Sequence, residues 1–133
     1  MKAYIDSSAV LRKIFGEPNP LPDLKNLKSF YSSSLLKVEC FRTVDRMRWA
    51  GQLTDDELSQ AYRLLHQVLK SIHLIELHEK IIQRACQPFS YPMKSLDALH
   101  MATAILWSEE ESSNRKAFLT HDKNLGRCAE TAS

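Results

Sequence analysis

The sequence predicts an α/β fold with a mostly parallel sheet. Two observations carry the prediction. Short apolar runs alternate along the chain with longer segments at helical period, the pattern of strand–helix units. The first of these runs, Ala3-Tyr4-Ile5, stops at a single acid, Asp6, and a helical pattern begins at once after Ser7 and Ser8. In an open parallel sheet, ligands bind outside the carboxyl ends of the strands. That junction is therefore where chemistry is expected.

Taken in order, the first strand hands over to a helix over 7–15, with Asp6 or Ser7 as its N-cap. Three prolines between 18 and 22 make the next stretch a loop. Residues 29–34 read as a second strand ending in serines. Leu35, Leu36, Val38, Phe41 and Val44 then recur at helical spacing, and that helix continues to about residue 50, where Gly51 ends it. Thr54 with Glu57 is a capping box opening a third helix, whose apolar face includes Leu58, Ala61, Leu65, Val68 and Leu69. Residues 72–75 fit a third strand, 78–86 a helix, and 88–92 a loop. A strong helix capped by Ser95 spans 95–106, and the charged run 109–115 reads as a solvated turn. Residues 116–120 make the last strand, which delivers His121 and Asp122, and a short helix follows over 123–129.

Bulk properties narrow the classes further. At 133 residues the expectation is one domain over 1–133, large enough to bury a core. No apolar run approaches the roughly 20 residues that span a bilayer. The N-terminus meets an acid, Asp6, too early for a signal peptide, so a cytoplasmic protein without a membrane partner is expected. Cys40, Cys86 and Cys128 are scattered and odd in number, which fits reduced thiols and neither a disulfide framework nor a zinc site. Three glycines in all leave no G-x-G-x-x-G or P-loop, and there is no G-x-S-x-G elbow. An aspartyl phosphoryl-transfer enzyme would want a second Asp at position 8, where a serine stands. A phospho-acceptor receiver would want paired acids after the first strand, which are also absent.

Four acids hold comparable places in this layout. Asp6 ends the first strand and Asp122 follows the last. Asp97 lies in the first turn of its helix, and Glu39 in the first turns of the helix after the second strand. In a parallel sheet all four approach one edge. Each also has an ordinary role open to it: Asp6 and Asp122 as N-caps, Asp97 as an acid matched to a helix dipole, Glu39 as the i+3 partner of Arg42. Gathered together, the four would repel unless divalent cations relieved them. Oxygen ligands of this kind suit Mg²⁺ or Mn²⁺ and metal-assisted phosphodiester hydrolysis. With these four acids set aside, twelve remain against 18 Lys and Arg, so the rest of the molecule carries +6, suited to a polyanionic substrate. Arg42, Arg46, Lys94 and Lys123 flank the proposed pocket and are candidates for RNA phosphates. Ser7, Ser8 and Thr120 offer hydroxyls there.

Four motifs in order, Tyr4-Ile5-Asp6-Ser7-Ser8-Ala9, Val38-Glu39-x-x-Arg42, Leu96-Asp97-Ala98-Leu99-His100-x-Ala102 and Phe118-Leu119-Thr120-x-Asp122-x-x-Leu125, resemble PIN domains. Among these the chain looks most like the VapC-type toxins of bacterial toxin–antitoxin pairs, along essentially its whole length. The resemblance implies a three-layer α/β/α, Rossmann-like fold and a Mg²⁺- or Mn²⁺-dependent endoribonuclease. It also implies a homodimer, and an antitoxin that binds across the active site. By position, Asp6, Glu39, Asp97 and Asp122 would be the acidic metal-binding quartet and Thr120 the accompanying hydroxyl. Two departures from the family pattern stand out. Leu36-Lys37-Val38 precedes Glu39 where a small polar residue is common, and no fifth acid stands beside Asp122. A non-catalytic module of the same fold, binding RNA or a protein, is the alternative.

Overall fold

The structure is a computed structural model that describes residues 2–16 and 29–110, and the backbone of 116–119. Among the described residues nine elements follow one another: β1 (Lys2–Ile5), α1 (Ser7–Phe15), β2 (Ser29–Ser33), α2 (Leu35–Trp49), α3 (Asp55–Lys70), β3 (Ile72–Ile75), α4 (Glu79–Ala85), α5 (Ser95–Glu110) and β4 (Lys116–Leu119). The four strands form one sheet in the order β3-β2-β1-β4, every pairing parallel. The α/β class and parallel sheet read from the alternation are those observed.

Strand β1 is central and buried on both faces, with Ala3, Tyr4 and Ile5 all at most 5% exposed. Successive side chains of a strand point to opposite faces, and the two cores show it. Ile5 joins Ala9, Val10, Ile14, Leu36, Val44 and Leu65 under α1, α2 and α3. Tyr4 turns the other way, to Ala104 and Trp107 of α5, with Tyr31 and Ile75 packed alongside. Helices on both faces of a parallel sheet give three layers, as the resemblance implied.

Local rules account for the helix ends. Asp6 is the N-cap of α1, and Gly16 closes that helix at φ 60 with its N–H bonded to the Arg12 carbonyl. Helix α2 ends in a Schellman arrangement. Gln52 N–H reaches the Met47 carbonyl and Gly51 N–H that of Arg48, each at 3.0 Å, with Gly51 at φ 70. The capping box of α3 is complete: Glu57 N–H donates to Thr54 Oγ1 at 3.1 Å, and Thr54 N–H to Glu57 Oε1 at 3.0 Å.

Two boundaries differ from the sequence expectation. Ser95 lies inside the first turn of α5, whose first bond runs from Ala98 N–H to the Lys94 carbonyl at 2.9 Å. That helix also continues to Glu110 rather than ending near residue 106. Trp107, 8% exposed, sits against Tyr4 and Tyr31, so burying it carries the helix a further turn past the predicted stop. The expected final helix, 123–129, lies outside the described residues.

Candidate active site

Because all strands run the same way, their carboxyl ends share one edge. The chain leaves β1 toward β2 on one side, while β4 returns on the other, so the strand order reverses between β1 and β4. Ligand sites of open α/β sheets form at such a switch point. Asp6 stands directly after β1 at this place.

Asp6 is a carboxylate 4% exposed and held by its cap geometry. Its Oδ1 accepts the Ser8 hydroxyl at 2.6 Å and the Ala9 N–H at 3.3 Å. The N-cap role and a site role are thus not alternatives; the cap fixes the carboxylate at the edge. Ser8, one of the candidate hydroxyls, acts here on Asp6.

Glu39 stands on α2 between the buried Leu36 and Cys40. The expected Arg42 partner is not its own. Arg42 pairs with Asp45 at 3.2 Å, while Glu39 Oε1 meets Nε2 of His100. Helices α2 and α5 lie on opposite faces of the sheet, so this contact passes over the edge where the strands end. Beyond it, Nδ1 of His100 faces the Tyr4 hydroxyl at 3.4 Å, and that hydroxyl accepts the Ser33 N–H at 3.0 Å. His100 is 2% exposed and Tyr4 fully buried. Burial outweighs the hydrogen bond from Ser33 and holds the Tyr4 hydroxyl well above its usual range.

Asp97 lies half-buried in the first turn of α5, as expected. It stands three residues before His100, a spacing that puts both on one side of the helix. Burial, and after it the charges of Glu39 and then Asp6, push the Cys40 thiol up to about 12. One buried group therefore feels both carboxylates. Cys40 is accordingly a protonated core thiol, as the scattered cysteines suggested.

Thr120, Asp122, His121 and Lys123 lie outside the described residues. Among the described residues, no three His, Cys, Asp or Glu side chains gather closely enough to hold a metal ion. The donor set at the edge is nevertheless of the right chemistry. Asp6, Glu39 and Asp97 offer carboxylate oxygens only, and a Mg²⁺-type ion needs one or two carboxylates while keeping several waters.

Sequence reasoning did not single out Tyr4 and His100 as partners of the site. A signal existed for His100: it sits in the apolar run from Leu96 to Ile105, and a buried imidazole requires hydrogen-bond partners. Nothing in the sequence tied it to Glu39, 61 residues away.

No helix among the described residues is long and apolar enough to cross a membrane. No curated protein matches the chain. The family profile described as PIN domain matches residues 3–130, nearly the whole sequence, and with the parallel sheet and edge acids this settles the assignment: the chain belongs to the PIN domain family.

Proposed function

We propose that the chain is a divalent-metal-dependent endoribonuclease that hydrolyses RNA phosphodiester bonds as the VapC-type toxin of a toxin–antitoxin pair. PIN domains are generally nuclease modules and typically depend on divalent metals, which supports a nuclease-type hydrolase. What supports the metal-dependent reading is Asp6 at the carboxyl end of β1 and Glu39 held over that edge by His100, with Asp97 three residues before that histidine on α5.

In this proposal Asp6, Glu39 and Asp97 hold Mg²⁺ or Mn²⁺ together with Asp122, which follows the end of β4 by three residues. A bound ion of this type would supply charge neutralisation at the scissile phosphate and an activated water. The residues of the chain do the remaining work. Asp6 is fixed by Ser8 and by the start of α1, so its carboxylate is preorganised. Thr120 contributes a hydroxyl beside the last acid. Arg42, 65% exposed at its side chain, and Lys94, exposed just before α5, bind RNA phosphates. Arg46, bonded to the Thr43 hydroxyl at 3.1 Å, extends that basic rim, and by its sequence position after Asp122 Lys123 is a further candidate for RNA phosphates. The toxin role, the antitoxin that covers this edge and the homodimer rest on the four motifs in order along the chain.

Cleavage of a panel of structured and unstructured RNAs by purified, antitoxin-free protein tests the proposal. Cutting should require Mg²⁺ or Mn²⁺, stop with EDTA, and vanish in a folded Asp97→Asn protein. Full activity of that variant, or cutting in EDTA, would overturn it.

A further inference from the structure

We propose that His100, backed by Tyr4, is a positioning residue that presents Glu39 to the divalent cation. The inference deepens the nuclease proposal and rests on it. The contacts form a single line from the end of β2 across the strand edge to α2: Ser33 N–H to Tyr4 hydroxyl, Tyr4 hydroxyl to His100 Nδ1, His100 Nε2 to Glu39 Oε1.

The donor order along this line is self-consistent. The Tyr4 oxygen receives the Ser33 N–H and has the Ser32 and Thr103 hydroxyls beside it; in the proposed arrangement its own O–H donates to Nδ1. With Nδ1 accepting, the ring proton resides on Nε2, where it donates to the Glu39 carboxylate. Each group thus sets the state of the next.

The consequence falls on Glu39. Its side chain has three rotatable carbon–carbon bonds and is still 22% exposed, so without an anchor it samples many positions. His100 is 2% exposed, locked in α5 between Leu99 and Met101, and takes only Oε1 in this contact. Anchoring one oxygen orients the carboxylate and lets the other be offered outward. Partners of this sort behind metal ligands are worth about 10- to 100-fold in metal affinity. A histidine that merely ties α2 to α5 would affect stability and leave metal affinity alone, which separates the two roles.

The test is Mn²⁺ binding to the full chain by calorimetry without RNA, with thermal melting in EDTA as the fold control. His100→Leu should weaken Mn²⁺ about tenfold or more. His100→Gln, whose amide can reach Glu39, should restore the affinity to within about threefold of the unaltered chain. In a Glu39→Gln background His100→Leu should add no further loss, because the histidine acts only through that carboxylate. If His100→Leu does not fold, Tyr4→Phe takes its place: it frees the tautomer of His100 and should weaken Mn²⁺ severalfold. Unchanged Mn²⁺ affinity in folded His100→Leu, or in Tyr4→Phe where that stands in, would overturn the positioning role while leaving the nuclease proposal standing. Additive losses from His100→Leu and Glu39→Gln would do the same. Absence of Mn²⁺ binding by the unaltered chain, seen before any variant is made, would overturn the nuclease proposal and the positioning role together.

Discussion

Replacing Tyr4 with phenylalanine removes one oxygen and leaves the ring against Trp107, 6.0 Å between centroids, and the aromatic packing intact. What is lost is the acceptor for the Ser33 N–H, at 3.0 Å, in a residue that is completely buried. A buried donor left without its partner costs about 1–3 kcal/mol. The His100 ring loses a neighbour as well, while the phenyl group is slightly easier to bury than the phenol. The net loss should be about 2 kcal/mol. In urea, with a slope of about 2 kcal/mol/M, the unfolding midpoint should fall by about 1 M. The pH dependence adds a second signature. Tyr4 has its ionisation raised by burial above the usual tyrosine value of 10.0, so the unfolded chain loses that proton near pH 10 while the native chain keeps it. The associated stability is fully present below pH 10 and is lost as pH rises beyond it. The gap between the two proteins should therefore narrow above pH 10. A midpoint within about 0.2 M of the parent at pH 7 would refute the reasoning, since the Ser33 bond would then carry no net energy.

Other consequences can be checked with standard measurements. Thr54→Ala removes the hydroxyl that accepts the Glu57 N–H, one half of a complete capping box, and should cost about 1 kcal/mol, lowering Tm by about 4 °C in a calorimetric scan. Leu36→Ala empties a fully buried site under α1 and should cost about 3 kcal/mol in denaturant unfolding, whereas Leu96→Ala, 49% exposed, should stay within about 0.5 kcal/mol. A thiol reagent at pH 8 should label the exposed Cys86 in the native protein, while Cys40, buried and with its ionisation raised to about 12, should react only on unfolding. The same shift means that Cys40 favours the native state below pH 9 and that this contribution is lost between pH 9 and about 12, so Cys40→Ala should blunt alkaline destabilisation over that window.

Much of this molecule is legible from sequence because local rules suffice for it. Asp6 caps α1, Gly51 closes α2 and Thr54 with Glu57 opens α3, each written within a few residues of chain. The alternation of apolar runs with helical periods likewise foretells the parallel sheet, and strand polarity alone brings Asp6 to the site edge. Where the sequence misleads, tertiary packing decides. Arg42 stands three residues from both Glu39 and Asp45, and pairs with the latter because Glu39 is taken by a histidine 61 residues away. The end of α5 escaped for a related reason. Glu109 and Glu110, read as the start of a solvated turn, belong to α5, because Trp107 packs against both Tyr4 and Tyr31. No spacing rule encodes a contact over the edge of a sheet between helices of opposite layers.

The account turns on one arrangement: carboxylates of Asp6, Glu39, Asp97 and Asp122 sharing a divalent cation at the strand edge. Anomalous diffraction from crystals soaked in Mn²⁺ tests it most directly. The account predicts a peak beyond the carboxyl ends of β1 and β4, with carboxylate oxygens of at least two of these acids at about 2.1 Å. A saturating soak that leaves this edge without a peak, or that places Mn²⁺ on other acids while RNA is still cut, would contradict it.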